Sequence, residues 1–391
     1  MGKRDCVGIV HNQTIGLDTP LCGYSTSEGN LKIGLVIYGS LDTLSGGYLY
    51  DRKLVEYLRR QGDTVEIISI PWRNYAAHLT DNFTFRLPPG PDILIQDELN
   101  HPSLLGANRG KHPYPVISLV HHLRCSEQRP GWQNFFYRLV ETRYLRSVDG
   151  FIFNSQTTRG VVNSILDKSE LEQGKPSIVA YPPTDRFGEG LSAQEMVERA
   201  QSGPLRILFL GNVIPRKGLH VLLDALFRLH PSSFILDIVG SLTTDPAYAR
   251  AMQQRSAVNG LSSVITFHSS LNNAPLVEKL SNAHVLVVPS SYEGFGIVYL
   301  EGMAFGLPAI GTTAGAAGEI IRDGETGFLI RPDDAPTLAA RLENLAADRA
   351  LLTRLSLNAL ERYRQQPKWE QTAGEIRQFL VETIKKSGKQ M

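Results

Sequence analysis

The chain has 391 residues and a formal net charge of +1, with 42% apolar and 20% charged residues. A single hydrophobic core stops growing near about 250–300 residues, so this length predicts two domains, and the composition excludes a disordered or fibrous protein. A net charge this close to zero argues against extended nucleic-acid binding, which depends on neutralising many phosphates.

The cysteines and the hydrophobic pattern bear on the compartment. Cys6, Cys22 and Cys125 are an odd number, which excludes a fully paired disulfide framework. The first residues contain no apolar export segment, and nowhere do about 18 apolar residues run together, so a spanning helix is not expected. A cytoplasmic location is predicted, and peripheral contact with the inner face of a membrane is left open.

The N-terminal half shows a repeating pattern of strands and helices. Residues 1–30 have no sustained hydrophobic period and are predicted to be an irregular N-terminal extension. Residues 31–185 contain short apolar runs separated by helical or turn-rich segments, which is typical of a doubly wound α/β domain. The runs are LKIGLVIY, VEIISI, DILIQ, PVISLVHH, GFIFNS and SIVAYPP.

The same pattern restarts in the C-terminal half. Residues 186–203 contain no strand pattern and are predicted to be a linker. Residues 204–365 contain the runs RILFLGN, FILDIVGS, VITFHS, AHVLVVPSS and LPAIGTT, which predict a second Rossmann-like domain. Pro367 breaks the following helical pattern, so residues 366–391 are predicted to form a helix that packs back on the first domain. The predicted fold class is α/β, with two doubly wound domains facing a central cleft.

The most informative stretch is PSSYEGFGIVYLEGMAFGLPAIGT, residues 289–312, which follows an apolar strand and leads into a helix. Gly294 and Gly296 in its loop leave the backbone amides open to a ligand. The helix predicted from about Ile297 directs free N–H groups and a positive dipole end toward the same place. A diphosphate suits such a position.

Two glutamates accompany this loop. Glu293 lies in the loop, and Glu301 lies eight positions later, about one turn into the helix. Both carboxylates can therefore face one cleft at different depths, where one meets a sugar and the other a ribose. The alternative interpretation is a tight strand-to-helix turn with two surface glutamates.

The stretch is similar to the E-x7-E signature of the large family of retaining glycosyltransferases with the GT-B fold, known as group 1 or family 4. The resemblance extends through AGAAGEIIRDGETGFLIRPDD and back to FLGNVIPRKGLHVLLDAL, and it covers most of residues 205–335. It implies a hexosyltransferase that uses no cofactor and takes a nucleotide sugar as its donor substrate. A UDP-sugar is favoured over GDP-mannose, because UDP-sugars are the commoner donors in the family.

The resemblance also implies roles for individual residues. Glu301 corresponds to the carboxylate that accepts hydrogen bonds from the donor's ribose hydroxyls, and Glu293 belongs to the loop that holds the transferred sugar. The backbone amides that contact sugar and phosphate are expected in the loop and the first helical residues, namely Gly294, Phe295, Gly296, Ile297 and Val298.

A cationic pair follows the first strand of the second domain. Arg216 and Lys217 match the family's cations that neutralise the diphosphate while charge builds on the leaving phosphate. Asn212 departs from the family, whose members often have arginine directly after the first glycine. Phosphate binding is therefore predicted to depend on Arg216 and Lys217 alone, and a solvated turn is the alternative.

The N-terminal half resembles the family more weakly. Gly46 and Gly47 match a loop that approaches the donor phosphate, and FNSQTTRG, residues 153–160, matches an N-S-x-x-T segment. His121 and His122 stand where relatives carry a histidine that contacts the sugar. Because side chains alternate along a strand, only one is expected to face the cleft, and His121 is favoured. A satisfied structural histidine is the alternative.

The sequence also bears on metal dependence and on alternative functions. No Asp-x-Asp pair lies near the predicted donor site and no histidine–cysteine cluster has zinc spacing, which predicts metal independence. A dehydrogenase is disfavoured, because GSLDTLSGG replaces G-x-G-x-x-G after the first strand. A non-catalytic nucleotide-sugar-binding module, a sugar-nucleotide epimerase and a phosphorylase are left open.

The sequence does not determine the acceptor, which can be a lipid, a polysaccharide or a small metabolite. The segment GWQNFFYRLVETRYLR is rich in aromatic residues and arginine, a composition also found in helices at membrane surfaces. An amphipathic helix packed on the N-terminal sheet is the favoured interpretation of this segment.

Overall fold

The computed structural model describes residues 29–43, 45–127, 129–166, 174–183, 185–188, 190–201, 203–258 and 260–388. The predicted N-terminal extension lies almost entirely outside the described residues. The described chain forms two parallel sheets of six strands each, which confirms the predicted pair of doubly wound units. Each sheet with its helices is called a unit below.

The first unit contains a sheet with strands in the order β2-β1-β3-β4-β5-β6. The strands are β1 Lys32–Tyr38, β2 Thr64–Ile70, β3 Ile93–Asp97, β4 Val116–Val120, β5 Gly150–Phe153 and β6 Ser177–Val179. The central strands β3, β4 and β5 are fully buried, as expected of a parallel sheet covered by helices on both faces. The strand order reverses between β1 and β3, so the topological switch point lies there.

Helices connect the strands of the first unit. They are α1 Gly46–Arg60, α2 Tyr75–Thr80, α3 His101–Leu104, α4 Gly131–Ser147 and α5 Gln156–Ile165. The side chain of Ser45 caps α1 by accepting a hydrogen bond from the N–H of Tyr48. The apolar face of α1 packs against the sheet side of the unit, because Tyr50, Leu54, Val55 and Leu58 are buried.

The second unit contains a sheet with strands in the order β12-β11-β10-β7-β8-β9. The strands are β7 Leu205–Leu210, β8 Phe234–Val239, β9 Ile265–His268, β10 Val285–Val287, β11 Ala309–Thr312 and β12 Gly327–Ile330. The order reverses between β7 and β10, which places the second switch point there. β12 was not predicted as a strand, since its four residues stand between the charged and glycine-containing segments RDGET and RPDD.

The helices that follow are α6 Ala193–Ala200, α7 Leu219–Leu226, α8 Pro246–Val258, α9 Asn273–Asn282, α10 Ile297–Met303, α11 Ala335–Ala347, α12 Arg349–Arg364 and α13 Trp369–Lys386. Among the described residues, no helix combines the length and the apolar character that crossing a bilayer requires.

The segment predicted as a linker, residues 186–203, holds a packed helix. The side chain of Ser192 accepts a hydrogen bond from the N–H of Glu195, and the Glu195 carboxylate accepts one in return, which forms a capping box. Met196 is fully buried, and Arg199 donates to two carbonyls of the loop that follows α10. Residues 193–200 are therefore part of the second unit, and their helix-like but mostly polar sequence gave no sign of this packing.

The last helix, α13, lies against the first unit although it follows the second in the chain. Its apolar stripe joins the core that α1 covers, and the ring of Trp369 meets the ring of Tyr50 at 5.2 Å. Arg377 donates two hydrogen bonds to the buried carboxylate of Asp63, at 2.8 and 3.0 Å. The residue limits of the two predicted domains stay a prediction.

Candidate active site

Two adjoining cavities lie between the two units, with volumes of about 720 and about 330 Å³. Ligands of doubly wound sheets bind outside the carboxyl ends of the strands, at the switch point. The loops at both switch points line these cavities. The residues common to both are Ser45, Gly46, Gly211, Asn212, Ile297 and Val298.

Helices α1 and α10 begin on opposite sides of this cleft. A Cβ built on Gly46, the first residue of α1, would lie 3.5 Å from Cγ2 of Ile297, the first residue of α10. Both helix starts therefore border one space, into which N–H groups without intrahelical partners can point. Gly296 has φ 95°, a conformation that favours glycine. The predicted loop residues that line the smaller cavity are Gly46, Gly47, Gly294, Phe295, Gly296, Ile297 and Val298.

Gly294 lies where the two units touch. A Cβ there would be 2.5 Å from the carbonyl oxygen of His121 and 2.9 Å from Cβ of His122. The Gly294 carbonyl accepts a hydrogen bond from Ser155 Oγ at 3.0 Å. The close approach of the units therefore requires glycine at this position, independently of any ligand.

The loops after β7 and β10 are joined through their backbones. The N–H of Ser291 donates to the carbonyl of Arg216 at 2.9 Å, and Arg216 Nη1 donates to the carbonyl of Tyr292 at 3.0 Å. Gly218 has φ 72°, and a Cβ there would lie 2.0 Å from the carbonyl oxygen of Pro289. These contacts bring the cationic pair of one loop to the glutamate of the other.

Glu293 is buried beside those two cations. Its Oε1 lies 2.5 Å from Lys217 Nζ and accepts a hydrogen bond from Ser290 Oγ at 2.6 Å, and its Oε2 lies 4.0 Å from Arg216 Nη1. Burial alone would raise the pKa of Glu293, but the charges of Lys217 and Arg216 and the two hydrogen bonds lower it overall. Glu293 is therefore a carboxylate whose oxygens are already engaged.

Glu301 lines the larger cavity and pairs with Arg186, which the sequence reasoning missed. Arg186 Nη1 lies 3.2 Å from Glu301 Oε1, and Arg186 Nη2 donates to Asn273 at 2.7 Å. Burial raises the pKa of Glu301, and Arg186 opposes the rise. Arg186 was missed because it lies in the predicted linker. The sequence feature that could have indicated it is the charged pair Asp185 and Arg186 shortly after the strand SIVAYPP.

His121 faces the smaller cavity from the end of β4. Its Nε2 lies 3.1 Å from Oδ1 of Asp51, a fully buried residue of α1, and its ring meets Tyr50 edge-on at 5.4 Å. Burial alone would lower the pKa of His121, but the hydrogen bond and charge of Asp51 and the charge of Asp97 raise it to about 9. The neighbouring carboxyl groups therefore favour the protonated form of His121.

His122 lines the same cavity, so the expectation that only one histidine faces the cleft was wrong. The strand ends at Val120, and both histidines lie beyond it, where side chains no longer alternate. His122 Nε2 lies 3.0 Å from Glu127 Oε1. Burial alone would raise the pKa of Glu127, but His122 and two arginines lower it to about 2.

Two further carboxyl groups of this wall were missed by the sequence reasoning. Asp97 ends β3 and Glu98 follows it, and both line the smaller cavity while nearly fully buried. Burial raises the pKa of each to about 7. Among the described residues, the side-chain groups close enough to share a metal ion are Asp51 with Asp97 and His121, and Glu98 with His101 and Glu141. The sequence feature that could have indicated Asp97 and Glu98 is the polar segment QDELN at the end of an apolar strand.

Glu319 of the second unit contacts the start of α5 in the first. Its carboxylate accepts hydrogen bonds from the N–H of Gln156 at 3.0 Å and from the N–H and hydroxyl of Thr157, both at 2.6 Å. A carboxylate at a helix N-terminus is favourable because the first N–H groups lack intrahelical partners. The segment FNSQTTRG therefore touches the second unit at both Glu319 and Gly294.

Similar proteins are found by sequence. Residues 193–362 match the model of the family described as glycosyl transferases group 1. The chain is 30% identical over 288 residues to a glycogen synthase of Mycobacterium tuberculosis, a match that covers 72% of this chain and 67% of that enzyme. The chain belongs to the group 1 glycosyl transferases.

The chain spans about half the length of a second relative. It is 30% identical over 226 residues to a D-inositol 3-phosphate glycosyltransferase of Streptomyces avermitilis, which covers 55% of this chain and 48% of that protein.

Solved structures share the fold of this group 1 chain at low sequence identity. A sucrose-phosphate synthase from Thermosynechococcus elongatus has a TM-score of 0.75 at 20% identity, covering 90% of this chain and 99% of that chain. HepE from Anabaena, in complex with UDP and glucose, has a TM-score of 0.68 at 18% identity, covering 90% and 100%. The predicted GT-B architecture is thereby confirmed.

The structure brings the predicted site residues of this group 1 chain to one cleft. Glu293, Arg216, Lys217 and His121 line the smaller cavity, and Glu301 lines the larger one. The roles assigned to these side chains stay predictions.

Proposed function

We propose that this chain is a retaining, metal-independent glycosyltransferase that moves a hexosyl group from a nucleotide diphosphate sugar to an acceptor hydroxyl. The observation that carries the proposal is the cationic pair Arg216 and Lys217 beside the glycine loop 293–298, at the switch point of the second sheet and opposite the start of α1. A dinucleotide or nucleotide-sugar diphosphate is the kind of ligand that such a switch point accommodates.

The diphosphate lies, on this proposal, between the start of α1 and the loop after β7. Arg216 and Lys217 neutralise the charge that builds on the departing phosphate. Asn212 lines both cavities in place of a third cation, so it supplies an amide hydrogen bond and no charge.

The nucleoside occupies the larger cavity, with the ribose hydroxyls donating to Glu301. Arg186 Nη1 lies 3.2 Å from that carboxylate and opposes the rise in its pKa that burial causes, which favours the charged and stronger acceptor. Apolar side chains, a glycine and a serine also line this cavity and suit a flat base. These lining residues are Val239, Gly240, Ser270, Leu271 and Leu276. We propose a UDP-sugar as the preferred donor and GDP-mannose as the second candidate. The structure of HepE in complex with UDP and glucose, which shares the fold, supports this order.

In the proposed reaction the bond from the anomeric carbon to the diphosphate oxygen breaks, and a bond from that carbon to the acceptor oxygen forms on the same face. The acceptor proton passes to the departing phosphate. Glu293 is engaged by Lys217 and Ser290, so its role is to position the loop and its cation, and a nucleophilic role is not assigned.

Metal independence is tested by measuring turnover of the donor in excess chelator, where full activity is expected. Loss of activity that only added divalent metal restores contradicts this part of the proposal. That result would direct attention to Asp51, Asp97 and His121, whose donor atoms lie within 4.8 Å of one another.

The proposal as a whole is tested by thermal unfolding of the full chain against UDP, GDP, ADP and their common sugar conjugates. A ligand that binds only the folded state stabilises it by about 2.7 kcal/mol at a hundredfold excess over Kd. Stabilisation by one nucleotide family, lost in Glu301→Ala, together with release of free nucleotide from its sugar conjugate, is the expected result. No stabilisation by any of them counts against the donor site.

A further inference from the structure

Helix α4, which the favoured sequence interpretation expected to pack as an amphipathic helix, also exposes large apolar side chains. One side of the helix does pack, since Val140, Glu141, Tyr144 and Leu145 are buried. The exposed residues lie at positions that helical geometry places on one face. They are Trp132, Phe135, Phe136 and Leu139, with exposed fractions of 73%, 71%, 42% and 60%.

The charged residues of α4 divide between the same two faces. Glu141, its one acidic residue, is buried and accepts hydrogen bonds from the N–H groups of Arg124 and Cys125. Arg138 and Arg143 are exposed, so the charged residues of α4 near the apolar face are positive. An apolar face with aromatic residues and flanking arginines suits the boundary between headgroups and acyl chains of an anionic bilayer.

This face is joined to the wall of the cleft that the first unit forms by a short connection. His122 lines the smaller cavity, and its Nε2 lies 3.0 Å from Glu127 Oε1. The carbonyl of Glu127 in turn accepts a hydrogen bond from Asn134 of α4 at 2.9 Å. Trp132 lies only ten positions after His122 in the chain.

We propose that the α4 face, defined by Trp132, Phe135, Phe136, Leu139 and Arg143, binds the surface of an anionic lipid bilayer. A second copy of the chain fits this face less well, because an isologous contact would bring the arginines of both copies together. The bilayer offers the complementary negative charge and takes up the apolar side chains.

Binding through α4 places the first unit's wall of the cleft, opposite the proposed diphosphate site, next to the membrane and indicates a lipid-linked acceptor. This second step rests on the proposed glycosyl transfer, whereas membrane binding itself does not.

The experiment is flotation of the full chain with vesicles of phosphatidylglycerol and phosphatidylcholine in equal parts, and with vesicles of phosphatidylcholine alone. The wild-type chain is expected to float with the anionic vesicles and to dissociate at high salt. The double variant Trp132→Ser/Phe135→Ser is expected to lower the partition coefficient at least about tenfold. Arg143→Gln is expected to lower it about fivefold on anionic vesicles only.

Val258→Ser is the matched control, because Val258 is 86% exposed on α8 of the second unit. It is expected to float like the wild type. A wild-type chain that stays at the bottom with both kinds of vesicle overturns the membrane proposal, and so does a Trp132→Ser/Phe135→Ser variant that floats like the wild type.

Stabilisation by nucleotides separates this proposal from the proposed function. A double variant that keeps its nucleotide-dependent stabilisation and loses flotation supports the α4 face and shows that the variant is folded. Flotation without stabilisation by any nucleotide supports the α4 face and counts against the donor site.

The lipid-linked acceptor is tested by incubating membranes with the chain and a donor that carries a labelled sugar. Label in a chloroform extract of the membranes supports a lipid-linked acceptor. Consumption of the donor with label only in water-soluble products overturns it.

Discussion

The two walls of the smaller cavity carry different ionisable groups. On the second unit, Lys217 and Arg216 surround the single carboxylate of Glu293. On the first unit, the carboxyl groups of Asp51 and Asp97 surround His121. A nucleotide diphosphate is strongly anionic and an acceptor hydroxyl is neutral, so the difference supports our proposal that the second wall holds the donor and the first wall handles the acceptor and the transferred sugar.

The strongest test of this comparison removes a cation from the second wall. Lys217→Met is expected to lower the rate of donor turnover about a hundredfold to a thousandfold, because the departing phosphate loses a preorganised charge. It is measured as release of free nucleotide at saturating donor.

Lys32→Met serves as the control for Lys217→Met, since Lys32 is exposed at the start of β1, away from the cleft-lining residues. If turnover in Lys217→Met stays within about threefold of the wild type, the second wall does not contribute to the chemical step.

Glu301→Gln tests whether the larger cavity recognises a ribose. The affinity for the nucleoside diphosphate is expected to fall about tenfold to a hundredfold, because hydrogen bonds to a charged acceptor contribute about 1.5–3 kcal/mol. Inorganic pyrophosphate, which has no ribose, is expected to bind the variant as it binds the wild type. Equal losses for both ligands would show that Glu301 acts on the phosphates or on the fold.

The second wall could be predicted because each of its parts is contiguous in sequence. The loop around Gly294 and Gly296 carries its own glycines, and Arg216 and Lys217 directly follow an apolar strand. Strand ends of a parallel sheet converge at one edge, which brings two such loops together. The strand pattern predicted eleven of the twelve strands for the same reason, since buried parallel strands are short apolar runs.

The first wall could not be predicted in the same way because its groups come from distant parts of the chain. Asp51 lies inside a helix whose pattern marks it only as a polar residue, and its contact with His121 spans 70 positions. Arg186 and Glu319 likewise act through partners that are far away in sequence. Packing between elements, which local spacing does not determine, decides such contacts.

Asp51→Asn tests the first wall through pH. The folded-state pKa of His121 is raised to about 9, above its ordinary value of about 6.5. A raised histidine pKa gives stability that is fully present below about pH 6.5 and is lost as the pH rises through about 9. The variant is therefore expected to be less stable than the wild type by on the order of 2 kcal/mol near about pH 6, with the difference shrinking toward about pH 10.

The control for this pH dependence is Asp63→Asn. Asp63 is also buried, but its partner Arg377 keeps its charge over the whole range. Denaturant unfolding at several pH values is expected to show a constant difference for Asp63→Asn and a shrinking one for Asp51→Asn. Parallel curves for the two variants would show that His121 does not gain its proton from Asp51.

The smallest effect is expected where the two walls are held together. Glu319→Gln removes the charge that attracts the N–H groups of Gln156 and Thr157 across the cleft, while Glu319 itself lines neither cavity. Donor affinity is therefore expected to stay close to the wild-type value, and turnover is expected to fall about twofold to fivefold, because closure becomes less favourable.

The measurement for Glu319→Gln is small-angle scattering beside donor kinetics, with the exposed Glu325→Gln as control. A larger radius of gyration together with slower turnover would show that opposite walls act only when they are brought together. Slower turnover at an unchanged radius would mean that Glu319 acts on α5 alone, and the Gly294 contact would then be the one that fixes the distance between the walls.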